Sequence, residues 1–231
     1  MKKKLVIARR ISQGFFFFLF IYILWSTTYP LKGLLPAETF FNADPLIIFM
    51  TSISERIILP GIFLSLAMIV LTIVFGRFFC GWICPLGTSI DAVGAIRKRG
   101  KVLKDRENKR LRSIKFIIFA IIFLFAFAGV QVSWVFDPIV IMARFVSLNL
   151  IPTVTLAIDK SFSSLIRSFD FYGPLYDFYR SLKTSFLGVK VFYFSHALNI
   201  FIFFLAILAT SLFVKRSWCR ALCPLGALYA F

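Results

Sequence analysis

Four apolar stretches constrain this chain more than any other feature, because each approaches or exceeds the roughly 20 residues a helix needs to cross about 30 Å of hydrocarbon. They lie at about residues 11–30, 57–75, 114–136 and 191–214. The composition agrees. The chain is 60% hydrophobic and 16% charged, with 31 Phe, whereas a soluble domain is about half apolar and a quarter charged. The expectation is an all-α polytopic membrane protein with about four transmembrane helices, forming a single membrane domain over residues 1–231. A further stretch, 139–158, is apolar but carries Arg144, Asn149 and Pro152. It reads as re-entrant or interfacial rather than spanning. The start Met1-Lys2-Lys3-Lys4 leads into apolar sequence with no small-residue cleavage site close behind, so the first stretch is expected to be retained as a helix.

A net charge of +17 would suggest nucleic acid in a soluble protein. In lipid the Lys and Arg residues are orientation signals first, concentrated in cytoplasmic loops, and no nucleic-acid partner is expected. The N-terminal tail holds five basic residues, and segment 76–115 holds eleven against three acids. Residues 26–56 hold two against three acids, and residues 137–188 five against four. The counts put both termini and the loop 76–115 in the cytoplasm of a bacterial inner membrane crossed several times. The outer segment 137–190, broken by Pro152, Gly173 and Pro174, is expected to form short amphipathic helices on the membrane face. The basic run Arg97 to Arg112 reads as an orientation signal and headgroup contact rather than a polyanion site.

All four cysteines fall into two copies of one pattern, Cys80-Gly-Trp-Ile-Cys84-Pro85-Leu86-Gly87 and Cys219-Arg-Ala-Leu-Cys223-Pro224-Leu225-Gly226. Aligning Arg77–Gly87 with Arg216–Gly226 gives six identities in eleven positions, at an offset of 139 residues. Each copy follows an out-to-in span, so both pairs are expected at the cytoplasmic face. Two thiols four residues apart share one face of a helix or turn, about 5–6 Å apart, and can converge on one metal centre. The Pro after each second Cys favours a helix start, where the dipole is expected to stabilise a thiolate. Three readings follow. The cysteines are small buried hydrophobes, or disulfides or a redox-active dithiol, of which the first is disfavoured in the cytoplasm. The third is a four-Cys metal site, compatible with zinc or an iron-sulfur cluster. Spacing alone does not separate those metals.

The string Cys-x-x-x-Cys-Pro is similar to the tail of the bacterial ferredoxin run. More specifically, residues Gly76 to Gly87, the later Trp134-Val135-Phe136-Asp137-Pro138 and the motif Cys219 to Gly226 resemble the polytopic membrane 4Fe-4S binding proteins. That family includes the quinol-dehydrogenase membrane subunit of periplasmic nitrate reduction, the nitrous-oxide-reductase maturation regulator and the cytochrome-oxidase accessory ferredoxin. The resemblance covers about Leu64 to the C-terminus. It implies an electron conduit between a quinol or ferredoxin-type donor and a respiratory or maturation partner, an electron-transfer subunit rather than a stand-alone enzyme. Such relatives commonly continue into ferredoxin modules with CxxCxxCxxxCP runs, whereas this chain stops at Phe231. The expectation is a fragment or a protein served by a separate ferredoxin subunit.

On this reading Cys80, Cys84, Cys219 and Cys223 are the metal and cofactor ligands, holding one iron-sulfur cluster, most simply 4Fe-4S. The basic cytoplasmic loop would dock an acidic ferredoxin or other redox subunit by electrostatic steering. The alternatives are a cysteine-based redox or metal-handling assembly or regulatory protein without a cluster, and a zinc-stapled structural subunit. His196, the only histidine, reads as a packed or interfacial residue, since a bis-His haem needs a second imidazole. Asp137 reads as a helix cap at the outer surface, with a proton-accepting role at a quinol site as the sharper alternative. Arg144 is expected to snorkel or to meet a partner such as Asp137 or a quinone carbonyl. The run Phe15–Phe18 reads as lipid-facing bulk.

Overall fold

The computed structural model describes residues 2–26, 38–75, 79–96, 105–169, 194–214 and 216–229, which are helical nearly throughout and contain no strand. The helices are α1 (Lys2–Ser26), α2 (Glu38–Asn42), α3 (Pro45–Glu55), α4 (Ile62–Phe75) and α5 (Pro85–Ile96). They continue as α6 (Asp105–Phe127), α7 (Ser133–Phe136), α8 (Pro138–Phe145), α9 (Ile151–Phe169), α10 (Ala197–Phe213), α11 (Ser217–Ala221) and α12 (Leu225–Leu228). π turns at Phe79–Ile83 and Val146–Leu150 interrupt the series.

The element order is duplicated. A long helix (α1, α6), a short one (α2, α7), an Asp-Pro-initiated helix (α3, α8), an apolar helix (α4, α10) and a CxxxCP motif follow one another twice. α9 is inserted in the second copy. The Asp-Pro helices start alike for a local reason. Asp44 and Asp137 are extended N-caps whose Oδ1 atoms accept the backbone N–H of Leu46 (2.9 Å) and Ile139 (2.7 Å). Pro follows at the first helical position, where its missing N–H costs nothing.

Those two helices form the interior. Pro45, Leu46, Ile47, Ile48 and Met50 of α3 are buried, as is every residue from Pro138 to Ala143 of α8. Around them α1, α4, α6 and α10 turn large apolar side chains outward, among them Phe18, Phe63, Ile73, Leu124, Phe127 and Leu198. An apolar exterior on this scale, wrapped around an apolar interior, is what lipid-facing helices present.

Two helical runs, Val6–Ser26 and Pro138–Ser164, are long and apolar enough to cross a membrane by length and composition. The other expected spans are shorter: the apolar helices there cover Ile62–Val74, Ser113–Phe127 and Ala197–Phe213. Local signals truncate them. Pro60 and Gly61 delay α4. Gly129, with φ +81°, ends α6 through Val130 N–H to Phe125 O (2.9 Å) and Gly129 N–H to Ala126 O (3.0 Å), a Schellman closure. Residues 27–30 and 191–193 of the expected spans lie outside the described residues, as do 170–190 of the expected outer segment. The stretch 139–158 differs from expectation: it is a continuous helical run rather than short interfacial pieces. Pro152 does not break it, because the π turn before it relieves the proline's clash with the preceding turn.

Candidate iron-sulfur site

Each cysteine motif folds into the same turn. Cys84 N–H donates to Phe79 O and Cys223 N–H to Trp218 O, both at 3.0 Å and both reaching back five residues. Phe79 and Trp218 occupy equivalent positions and are buried. After each second cysteine, Pro starts a new turn that brings a glycine against the first cysteine. A Cβ on Gly87 would stand 3.0 Å from Cys80 O, and one on Gly226 3.1 Å from Cys219 O. Both glycines are therefore required by close approach. Gly226 N–H also donates to Cys223 Sγ at 3.4 Å.

The two turns lie within electrostatic reach of one another. Cys84 and Cys223 are buried, Cys80 and Cys219 half-buried, and none of the four is in a disulfide. The thiols are close enough for Cys80 and Cys219 to act electrostatically on both Cys84 and Cys223. Among the described residues no three His, Cys, Asp or Glu side chains converge closely enough to hold a single metal ion. The cysteines are electrostatic neighbours but do not form a closed mononuclear cage. Four thiols in two glycine-cradled turns suit a polynuclear group, which takes each ligand at a different metal atom.

Burial pushes the Cys84 and Cys223 thiols well above the ordinary range, and the neighbouring cysteines push them further. Burial also raises Cys219, against the opposing pull of Arg216. The expected thiolate stabilisation at the helix starts is thus overridden, because desolvation of a buried anion exceeds what one helix terminus offers. Such thiols are inert as nucleophiles. A bound metal would supply the positive charge that favours their thiolate form.

A polar clamp joins the two motifs. Asp91 on α5 accepts Arg216 Nε at 2.7 Å on Oδ1 and Arg216 Nη2 on Oδ2, and Oδ2 also receives Arg9 Nη2 and Gln13 Nε2, both at 3.0 Å. Burial raises the Asp91 carboxyl, but Arg216, Gln13 and Arg9 together outweigh it and hold the group below its ordinary value. Arg216 sits in the left-handed region (φ 54°) as it starts α11, a conformation that costs energy for a non-glycine residue. Its bidentate pair with Asp91 fixes that geometry. From α1, Arg9 Nε and Gln13 Nε2 also donate to Gly81 O inside the first motif, at 3.1 and 2.9 Å. In the second copy buried Lys115 on α6 donates to Gly226 O at 2.8 Å.

Other sequence candidates fall elsewhere. His196 is exposed at the start of α10 and Arg144 is exposed on the last turn of α8. Asp137 caps a helix as expected and is fully buried. The basic run Arg97 to Arg112 lies outside the residues whose side chains are described. Sequence reading missed Asp91, Gln13, Lys115 and Asp44. The repeated Asp-Pro before an apolar run was the one available signal for Asp44.

The 4Fe-4S binding domain matches the chain over residues 57–104 and 197–231, one segment around each cysteine pair. Over those two segments the chain is similar to the 4Fe-4S binding domain, and an iron-sulfur cluster is the cofactor that this similarity gives it. Among individual proteins it is 28% identical over 229 residues to the uncharacterized protein MJ0750 of Methanocaldococcus jannaschii, covering 97% of this chain and 70% of that one. It is 24% identical over 234 residues to the ferredoxin-type protein NapH of Escherichia coli, covering 97% and 64%. It is also 24% identical over 170 residues to Escherichia coli YccM, named provisionally as an electron transport protein, covering 71% of this chain and 36% of YccM. The chain therefore spans about a third of YccM's length. No solved structure matches the chain.

Proposed function

We propose that this chain is a membrane electron-transfer subunit in which Cys80, Cys84, Cys219 and Cys223 together ligate one 4Fe-4S cluster. The observation that supports this is that two motifs 139 residues apart close with the same backbone hydrogen bond and lie within electrostatic reach of one another. The bound cluster supplies a one-electron carrier. The protein's own residues provide the four thiols, the glycine cradles and the cationic fringe of Arg216 and Lys115, which offsets the negative charge of four thiolates. Relatives named as ferredoxin-type and electron transport proteins support a quinol or ferredoxin-type donor and a respiratory or maturation partner.

The same reading gives four spans, α1, α4, α6 and α10, in a bacterial inner membrane with both termini cytoplasmic. The run Pro138–Ser164 is then re-entrant or interfacial rather than a fifth span, which keeps both motifs on one side. Electrostatic reach between Asp137 and Cys84 supports this, since the start of α8 then lies at the depth of the site.

The test is iron and acid-labile sulfide content, with an EPR spectrum after dithionite reduction, of anaerobically purified protein beside the Cys80→Ala/Cys219→Ala variant. Stoichiometric iron and sulfide, with a signal lost in the variant, is the expected result. Zinc in place of iron would move the reading to a structural staple, and no metal at all to a thiol-based regulator.

A further inference from the structure

Two carboxyl groups meet in the interior without a counter-charge. Asp44 and Asp137 are both fully buried. Each spends Oδ1 on its own helix cap, and each leaves Oδ2 with no hydrogen-bond donor. The two carboxyls lie within side-chain hydrogen-bonding reach of one another. Caps alone do not explain this. A capping aspartate is ordinarily at a solvated helix end, and a cap that needs only Oδ1 could be Asn or Ser without bringing a second negative charge into an apolar interior. Two facing carboxylate oxygens repel, whereas one proton between them turns the contact into a strong O–H···O⁻ hydrogen bond.

The pair also has a neighbour that changes charge. Asp137 acts electrostatically on Cys84, and Tyr229 lies within reach of Asp44, Cys80 and Cys84. Of the other elements packed on α3 and α8, helices α4, α7 and α10 carry no titratable side chain. Lys115 on α6 is bound to Gly226 O, and Asp91 on α5 is held by Arg9 and Arg216. Glu38 opens α2, while Glu55 and Arg144 are exposed at the far ends of α3 and α8. Among the described residues no cation forms an ion pair with either carboxyl.

We propose that Asp44 and Asp137 form a proton-binding site, holding one shared proton and taking up a second when the neighbouring cysteine site gains an electron. The shared proton rests on the carboxyl geometry alone; the coupling rests on the proposed electron-transfer reading. In the balanced step, a cluster held by the cysteines would take one electron from a one-electron donor while the carboxyl pair takes one further proton from solvent. No covalent bond within the protein changes.

The first test needs no cluster. Infrared spectra of the purified full chain, titrated with pH in detergent, should contain a protonated-carboxyl C=O band near neutral pH that is lost in Asp44→Asn/Asp137→Asn. Asn retains the cap, so the variant keeps its helices, checked by circular dichroism. Absence of the band in wild type overturns the site whatever the cysteines bind. The second test is the midpoint potential of iron-loaded protein against pH. Coupling gives a fall approaching 59 mV per pH unit, the one-electron equivalent of a tenfold change in proton activity, flattened in both Asp44→Asn and Asp137→Asn. A wild-type potential independent of pH, or a slope kept in the double variant, refutes the coupling. A protein that takes up no iron fails the electron-transfer reading and leaves the infrared result to decide the proton site.

Discussion

Removing the Asp91 carboxylate should loosen the joint between the two cysteine turns, by an amount the geometry sets. Asp91 accepts four hydrogen bonds, from Arg216 Nε and Nη2, Arg9 Nη2 and Gln13 Nε2. A hydrogen bond to a charged group contributes about 1.5–3 kcal/mol, but these four share two oxygens and do not add. The Arg9 side chain is 40% exposed, so solvent screening reduces its share to about 0.5 kcal/mol. The Arg216 pair dominates, with side chains 22% and 28% exposed. Stranding a fully buried partner costs about 3–5 kcal/mol; for this partly buried guanidinium we expect about 2–4 kcal/mol from Asp91→Ala.

The assay is reversible unfolding in mixed micelles of rising denaturing-detergent fraction, followed by circular dichroism, for Asp91→Ala, Arg216→Ala and the double variant. Because the pair acts as a unit, the double variant should cost clearly less than the sum of the singles, with a coupling of about 2 kcal/mol. Iron per chain should fall in both singles, since the clamp holds α5 against the turn that presents Cys219. A cost below about 0.5 kcal/mol for Asp91→Ala, or strictly additive singles, would refute the clamp.

Gly87→Ala and Gly226→Ala should each cost about 1–3 kcal/mol and lower iron content, because the new methyl meets the backbone carbonyl of Cys80 or Cys219. Gly94→Ala, with nothing within 4 Å of its added Cβ, should instead stabilise α5 by about 0.5–1 kcal/mol. The depressed Asp91 carboxyl predicts acid loosening: its contribution is present above the unfolded value of about 3.9 and lost as pH falls through the lower folded value, read in the same micelle assay from pH 6 downward. The raised Cys84, Cys219 and Cys223 thiols predict the opposite slope in metal-free protein. Stability is full below the unfolded value of about 8.5 and lost as pH rises past it. Iodoacetamide labelling of folded metal-free protein near neutral pH should be slower than for the unfolded chain, and equal rates would refute the burial argument.

Much of the site was legible because its signal is categorical. Four cysteines in two identical spacings, each followed by Pro-Leu-Gly, admit few alternatives, and the structure gives both copies the same turn. The interior was not legible. α3 has eleven residues, below crossing length, and its segment carries more acids than bases, so it reads as an outer loop. Only tertiary packing distinguishes a short apolar helix buried among others from one lying on a surface. The thiol environment was misjudged for a related reason. Sequence locates a helix start next to Cys84 and Cys223 but not their burial, and desolvation is the larger effect. Pro152 marked a break by local rules, yet the preceding π turn absorbs it within one helical run.

The duplication explains which contacts matter to the chemistry. Within each copy the long first helix serves its own motif: α1 through Arg9 and Gln13 to Gly81, α6 through Lys115 to Gly226. Each copy therefore builds a CxxxCP turn from nearly local information, but each turn carries only two thiols. Joining two half-sites falls to contacts between copies, and among the described residues the polar ones include Asp91 with Arg216, Gln131 with Thr51, and Asp44 beside Asp137. The first closes the joint beside the cysteines and the last lies within their electrostatic reach. A change in charge at the cysteines therefore acts on the interface that holds the two copies together, because Asp91 and Arg216 act electrostatically on Cys219 and Asp137 acts on Cys84.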